Sequence, residues 1–148
     1  MKTHFFPALL LGLAALVVTP DKALSGEFPK GSPTFATSYT SALADAKKSG
    51  KPVIVIFSAS WCPPCQSMKK EVYPSAAVKP YHDKFVWAYL DADDEANKKA
   101  MQKFGVEGIP HIEFLNAAGE SIGKQVGGSD PADFAKKLNS LPAPSGKS

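Results

Sequence analysis

The chain of 148 residues holds two cysteines, Cys62 and Cys65, three positions apart in the run Trp61-Cys62-Pro63-Pro64-Cys65. Sulfurs at that spacing can form a structural bridge, half of a metal site or a redox couple. A structural bridge fits poorly, because stabilisation by a cross-link grows with the loop it closes, and here that loop is Pro63-Pro64 alone. A zinc site needs two further Cys or His ligands. His82 and His111 are the histidines beyond the first 25 residues, and they are not paired at ligand spacing; taken singly, His82 reads as a surface residue in a loop and His111 as an ordinary residue at a strand start. Copper(I) is held by fewer, softer ligands, so a copper carrier using Cys62, Cys65 and His111 remains an alternative. Redox chemistry fits the local pattern. Cys62 stands where an apolar run gives way to a helical one, and the positive end of a helix favours a thiolate, the nucleophilic form. Cys65, one turn on, is placed to resolve a mixed disulfide formed at Cys62, with Cys62 the exposed sulfur and Cys65 the buried one.

The elements that must position these sulfurs are legible in outline. Residues 38–49 place Tyr39, Ala42, Leu43 and Ala46 at helical spacing, with Gly50 as a stop. Val53 to Phe57, "VIVIF", is a β-branched and aromatic run suited to a strand covered on both faces. A helix is expected over 66–73 until Pro74, a helical turn within 75–81, a second buried strand over 85–93, and a helix over 94–104 ended by Gly105. A strand from His111 to Leu115, a turn at 116–119, a strand over 121–126 and a helix over 130–141 complete the chain. Crossovers followed by a hairpin imply an α/β fold with a mixed central sheet and helices on both faces.

Length allows one compact domain. All 17 basic residues are lysine, scattered in ones and twos, and the formal charge is +3. That pattern reads as solvated helix faces and gives no support to nucleic-acid binding. Residues 1–25 follow the secretory pattern of Lys2, an apolar run from Phe5 to Val18, and small residues at Ala23 and Ser25. The run is shorter than the roughly 20 residues that span a bilayer, so a cleaved signal peptide is expected, with an uncleaved membrane anchor as the alternative. The expected organisation is a signal peptide over 1–25, a linker over 26–37, the domain over 38–141 and a flexible tail over 142–148, in a periplasmic or secreted protein where disulfides persist.

"VIVIFSASWCPPC", "VWAYLDAD" and "FGVEGIPHIEFLNAAGE" with the following Gly-Gly, in that order, resemble the thioredoxin superfamily from Ser38 to Leu141. Within it the layout is most similar to exported thioredoxin-like proteins and to the C-terminal domain of the bacterial transmembrane thiol:disulfide reductase. The resemblance implies a thioredoxin fold and a protein-disulfide oxidoreductase using Cys62 and Cys65, with no metal or organic cofactor. It implies a cis Ile109-Pro110 peptide, and a docking surface formed by Trp61, Pro63, Pro64, Ile109 and Pro110. It also implies disulfide-bearing protein substrates, an electron donor at the membrane and a monomer. Two departures stand out. The buried aspartate and nearby lysine that usually serve the resolving cysteine are replaced by Ile56 and Tyr89. Two prolines replace the usual Gly-Pro, which leaves chiefly the Cys65 N–H to stabilise a Cys62 thiolate and points to a couple on the reducing side.

Overall fold

The structure, a computed structural model, describes residues 27–142. The expected signal peptide and the tail beyond Pro142 lie outside the described residues. A five-stranded sheet has the order β1-β3-β2-β4-β5, with β1 Phe35–Ala36, β2 Val53–Ser58, β3 Val86–Asp91, β4 His111–Leu115 and β5 Ser121–Val126. Strands β1, β3 and β2 run parallel; β4 is antiparallel to both β2 and β5. Helices α1 (Tyr39–Ser49), α2 (Pro63–Ser67), α3 (Lys98–Phe104) and α4 (Pro131–Ser140) pack on the sheet, with short 3₁₀ turns at Lys79–Lys84 and Glu95–Asn97. This is the thioredoxin fold.

Local chemistry explains the boundaries. At the start of α1, Ser38 Oγ accepts the Ser41 N–H at 3.0 Å while Ser41 Oγ accepts the Ser38 N–H at 3.3 Å, a reciprocal cap. Gly50 ends the helix in a left-handed conformation, φ 72°, which glycine adopts without a Cβ clash. All six residues of β2 are buried because each face of the strand has its own cover. Ile54 and Ile56 pack with Met68, Val72, Tyr89, Ile112 and Phe134. On the other face Val53, Val55 and Phe57 meet Ala42, Ala46 and Ala100, whose small side chains seat helices close to the sheet.

Three expectations are corrected. Within residues 26–37, read as a linker, Phe35–Ala36 add the edge strand β1, in register Phe35 to Trp87. Phe28 and Phe35 stack at 4.4 Å, and both rings contact Tyr89, at 5.0 and 5.5 Å. Burial of these rings outweighs the Gly and Pro content of the segment. The helix expected over 66–73 changes type after α2: Met68–Val72 is a π turn, closed by the Tyr73 N–H on the Met68 carbonyl at 3.1 Å. The wider turn lets the consecutive Val72 and Tyr73 both enter the core. His82, expected at the surface, is half-buried, with Nε2 on the Tyr73 carbonyl at 2.8 Å and its ring against Trp87. Pro74 has no N–H to continue the helix, and the imidazole supplies a partner for that carbonyl.

Phe35→Ala removes a partly buried ring that touches Phe28, Tyr73, Trp87 and Tyr89. It is expected to lower the unfolding free energy by about 2 kcal/mol in urea titration. A change within the scatter of surface substitutions, about 0.5 kcal/mol, would return the segment to a mere linker.

Candidate active site

Strand β2 ends at Ser58 and the chain turns through Ala59, Ser60 and Trp61 into α2. Cys62 is the N-cap of that helix, with φ −94° and ψ 107°, the extended conformation that a following proline favours. Pro63 and Pro64 occupy the first helical positions, where a missing N–H costs no intrahelical bond. The Ala59 carbonyl ties the turn down, accepting from the Cys62 N–H at 3.3 Å and from Gln66 Nε2 at 3.0 Å.

Cys62 and Cys65 form a disulfide, with Cα atoms 5.3 Å apart. The Cys65 N–H points at Cys62 Sγ, 3.4 Å away, the donor that the double proline leaves. Contrary to the expectation of one exposed sulfur, both residues are buried, Cys62 at 3% and Cys65 at 1% exposure, packed with Ala59 and Ile109. The Ile109-Pro110 peptide is cis, and the Ile109 carbonyl lies 3.7 Å from Cys62 Sγ. After reduction the Cys62 thiol is placed to donate to that oxygen.

The rim is exposed where the sulfurs are not. Trp61 is 66% exposed, with its indole fixed by Nε1–H donating to Asp93 Oδ2 at 2.7 Å, and Pro63 and Pro64 are exposed beside it. Val126, 59% exposed, stands beyond the cis-proline segment at the end of β5, opposite His111 in the strand register. The next residue, Gly127, donates its N–H to the Pro110 carbonyl at 2.8 Å. Gly128 lies against Pro64, and the Ser129 N–H reaches Met68 Sδ at 3.3 Å. The seven expected site residues therefore gather at one end of the sheet. Val126 was not anticipated; its signal is a large apolar residue on an edge strand directly before Gly-Gly.

At the position where the resemblance implies a buried carboxylate stands Ile56, fully buried and in register with Tyr89. The polar groups on that face are hydroxyls. Tyr89 and Ser58 share a hydrogen bond of 2.5 Å. Burial raises the Tyr89 pKa against a smaller lowering by Ser58, with Asp91 raising it further. Burial raises that of Tyr73 well above the ordinary phenol range, reinforced by Tyr89. The two described histidines are engaged elsewhere: His82 Nε2 on the Tyr73 carbonyl, and His111 Nε2 on Glu113 Oε2 at 2.8 Å. Among the described residues no three His, Cys, Asp or Glu side chains converge.

This arrangement, a C-x-x-C disulfide capping a helix opposite a cis-proline, defines the class. The chain belongs to the family of thioredoxin-like domains, whose model matches residues 39–142. Among its relatives, the chloroplastic thioredoxin-like protein HCF164 of Arabidopsis thaliana is 34% identical over 99 residues, 67% of this chain and 37% of its own length. The thiol:disulfide interchange protein TxlA of Synechococcus elongatus is 27% identical over 90% of this chain and 70% of its own. A solution structure of a thioredoxin from Thermus thermophilus superposes with a TM-score of 0.63 at 31% identity, covering 70% of this chain and 82% of that one. The chain spans about a third of the length of the HCF164 proteins it matches.

The raised phenols fix a pH dependence. Tyr73 and Tyr89 ionise more readily unfolded than folded, so their contribution is fully present below the unfolded tyrosine pKa of about 10 and is lost as pH rises above it. Absorbance titration is expected to show these two ionising only as the fold is lost, with stability falling from about pH 10 upward. Four tyrosines titrating together, ahead of any loss of near-UV dichroism, would contradict the burial assigned here.

Proposed function

We propose that the protein is an exported thiol:disulfide oxidoreductase that reduces disulfides in partner proteins. The observation that carries the reading is the Cys62-Cys65 disulfide capping α2 beside the cis Ile109-Pro110 segment. In the reduced form the Cys62 thiolate attacks one sulfur of a partner disulfide, and the other sulfur leaves as a thiolate. Cys65, deprotonated, attacks Cys62 Sγ in the mixed disulfide, which releases the second partner thiol and restores the Cys62-Cys65 bond. Two electrons pass to the partner, and the leaving sulfurs take up protons. No metal or organic cofactor enters, and one monomer suffices. Trp61, Pro63, Pro64, Ile109 and Val126 form the surface on which the partner segment lies, whereas Pro110, expected on that surface, is buried behind Ile109.

The reducing direction is supported by the single N–H aimed at Cys62 Sγ, since fewer donors mean a less acidic thiol and a less oxidising couple. Action in the periplasm or outside the cell, with reduction by a donor at the membrane, is supported by the leader pattern of residues 1–25.

Cys65→Ser is expected to trap partner proteins on Cys62 as mixed disulfides, recovered from the native host and released by dithiothreitol, while Cys62→Ser traps none. The wild-type protein, reduced, is expected to be metal-free and to reduce insulin. Stoichiometric copper bound by both cysteines, without insulin reduction, would establish the carrier instead.

A further inference from the structure

Strand β4 carries two ionisable residues that the exchange chemistry does not use. His111 and Glu113 are 1% and 3% exposed, between the buried Ile112, Phe114 and Leu115. His111 Nε2 and Glu113 Oε2 are 2.8 Å apart, Glu113 Oε1 accepts a short hydrogen bond from Ser121 Oγ on β5, and His111 Nδ1 has no protein partner. A buried carboxylate and imidazole are costly to desolvate, and hydrocarbon side chains would fill this strand without that cost. Position suggests what the pair supplies. His111 directly follows cis-Pro110, faces Val126 in the register, and touches Phe57 edge-on at 5.9 Å. Glu113 lies one pleat further along the same face, opposite Lys124.

The chain His111–Glu113–Ser121 thus ties β4 to β5 through side chains, starting at the residue that carries the docking segment. Beyond the backbone ladder that pairs His111 with Val126, that segment is anchored toward β5 by the Gly127 N–H on the Pro110 carbonyl. The side-chain network adds to the ladder and the Gly127 bond in holding the spacing between the Ile109 carbonyl beside Cys62 and the exposed Val126. We infer that His111, Glu113 and Ser121 are positioning residues that hold the Ile109-Pro110 segment and Val126 in register for an extended polypeptide disulfide. The inference rests on the proposed function and names the substrate class that the network serves. A small disulfide needs only the Cys62 sulfur, whereas a polypeptide must also lie along the rim, where displacements near 1 Å are already costly.

The test compares the wild-type protein with His111→Leu, His111→Gln and Ser121→Ala. Measured are insulin reduction driven by dithiothreitol, reaction of the reduced protein with oxidised glutathione, and hydrogen exchange of the Gly127 amide. His111→Leu is expected to raise KM for insulin about tenfold with kcat within about twofold, to leave the glutathione reaction within about twofold, and to speed Gly127 exchange. His111→Gln, which returns a donor to Glu113, is expected to restore KM to within about threefold of wild type. If His111→Leu does not fold, Ser121→Ala carries the test, with KM for insulin raised about threefold and the glutathione reaction unchanged. Equal losses on both disulfides, or unchanged Gly127 exchange in every folded variant, would overturn the network. If the wild-type protein reduces neither disulfide the proposed function falls, and Gly127 exchange still decides the network.

Discussion

The seam between the first turn of α2 and the Pro110–Gly127 pair is the constraint on which the rest depends. Cys62 caps the helix, the Ile109 carbonyl lies beside its sulfur, and the Gly127 N–H fixes the cis-proline segment from the far side. Each partner comes from a different connection: the β2–α2 turn, the α3–β4 loop and the β5–α4 loop. They can meet only if β2, β4 and β5 are adjacent in the sheet and their loops converge at one end. The strand order provides this, and the apolar layers on either side of β2 hold that order. A disulfide of two intervening residues adds little to fold stability; the fold instead brings a carbonyl, an amide and an apolar rim to the sulfurs.

Much of this was legible because the signals are local. The runs 53–57 and 111–115, Gly50 and Gly105 as helix stops, and the C-x-x-C pair each speak for themselves within a few residues. The two-residue β1 has no periodicity to read, and only its aromatics, Phe28 and Phe35, hint that the segment packs. A π turn leaves no compositional trace beyond two consecutive core residues, Val72 and Tyr73. The burial of Cys62 was missed because it depends on Ile109, which arrives from a distant loop.

The strand "HIEFL" shows the limit most clearly. Polar and apolar residues alternate in it, the pattern of a strand with one face in water, yet all five residues are buried. What covers His111 and Glu113 is tertiary: Phe57 from β2, Ser121 from the next strand, and the imidazole–carboxylate pairing itself. Alternation records side-chain chemistry, and burial records what the rest of the chain places on top. Where the two disagree, as here, polar side chains have been brought inside for their directionality.

The contrast between a shielded disulfide and an open rim has a bearing on chemical durability. Thiolates are consumed by peroxide and related oxidants in proportion to their exposure, moving first to sulfenic and then to irreversible sulfinic and sulfonic acids. Here the exposed residues flanking Cys62 in the chain are Ser60, Trp61, Pro63 and Pro64, which do not take part in thiol chemistry. Both cysteines lie beneath that cover, 3% and 1% exposed. Such cover lowers the exposure on which attrition by small oxidants depends.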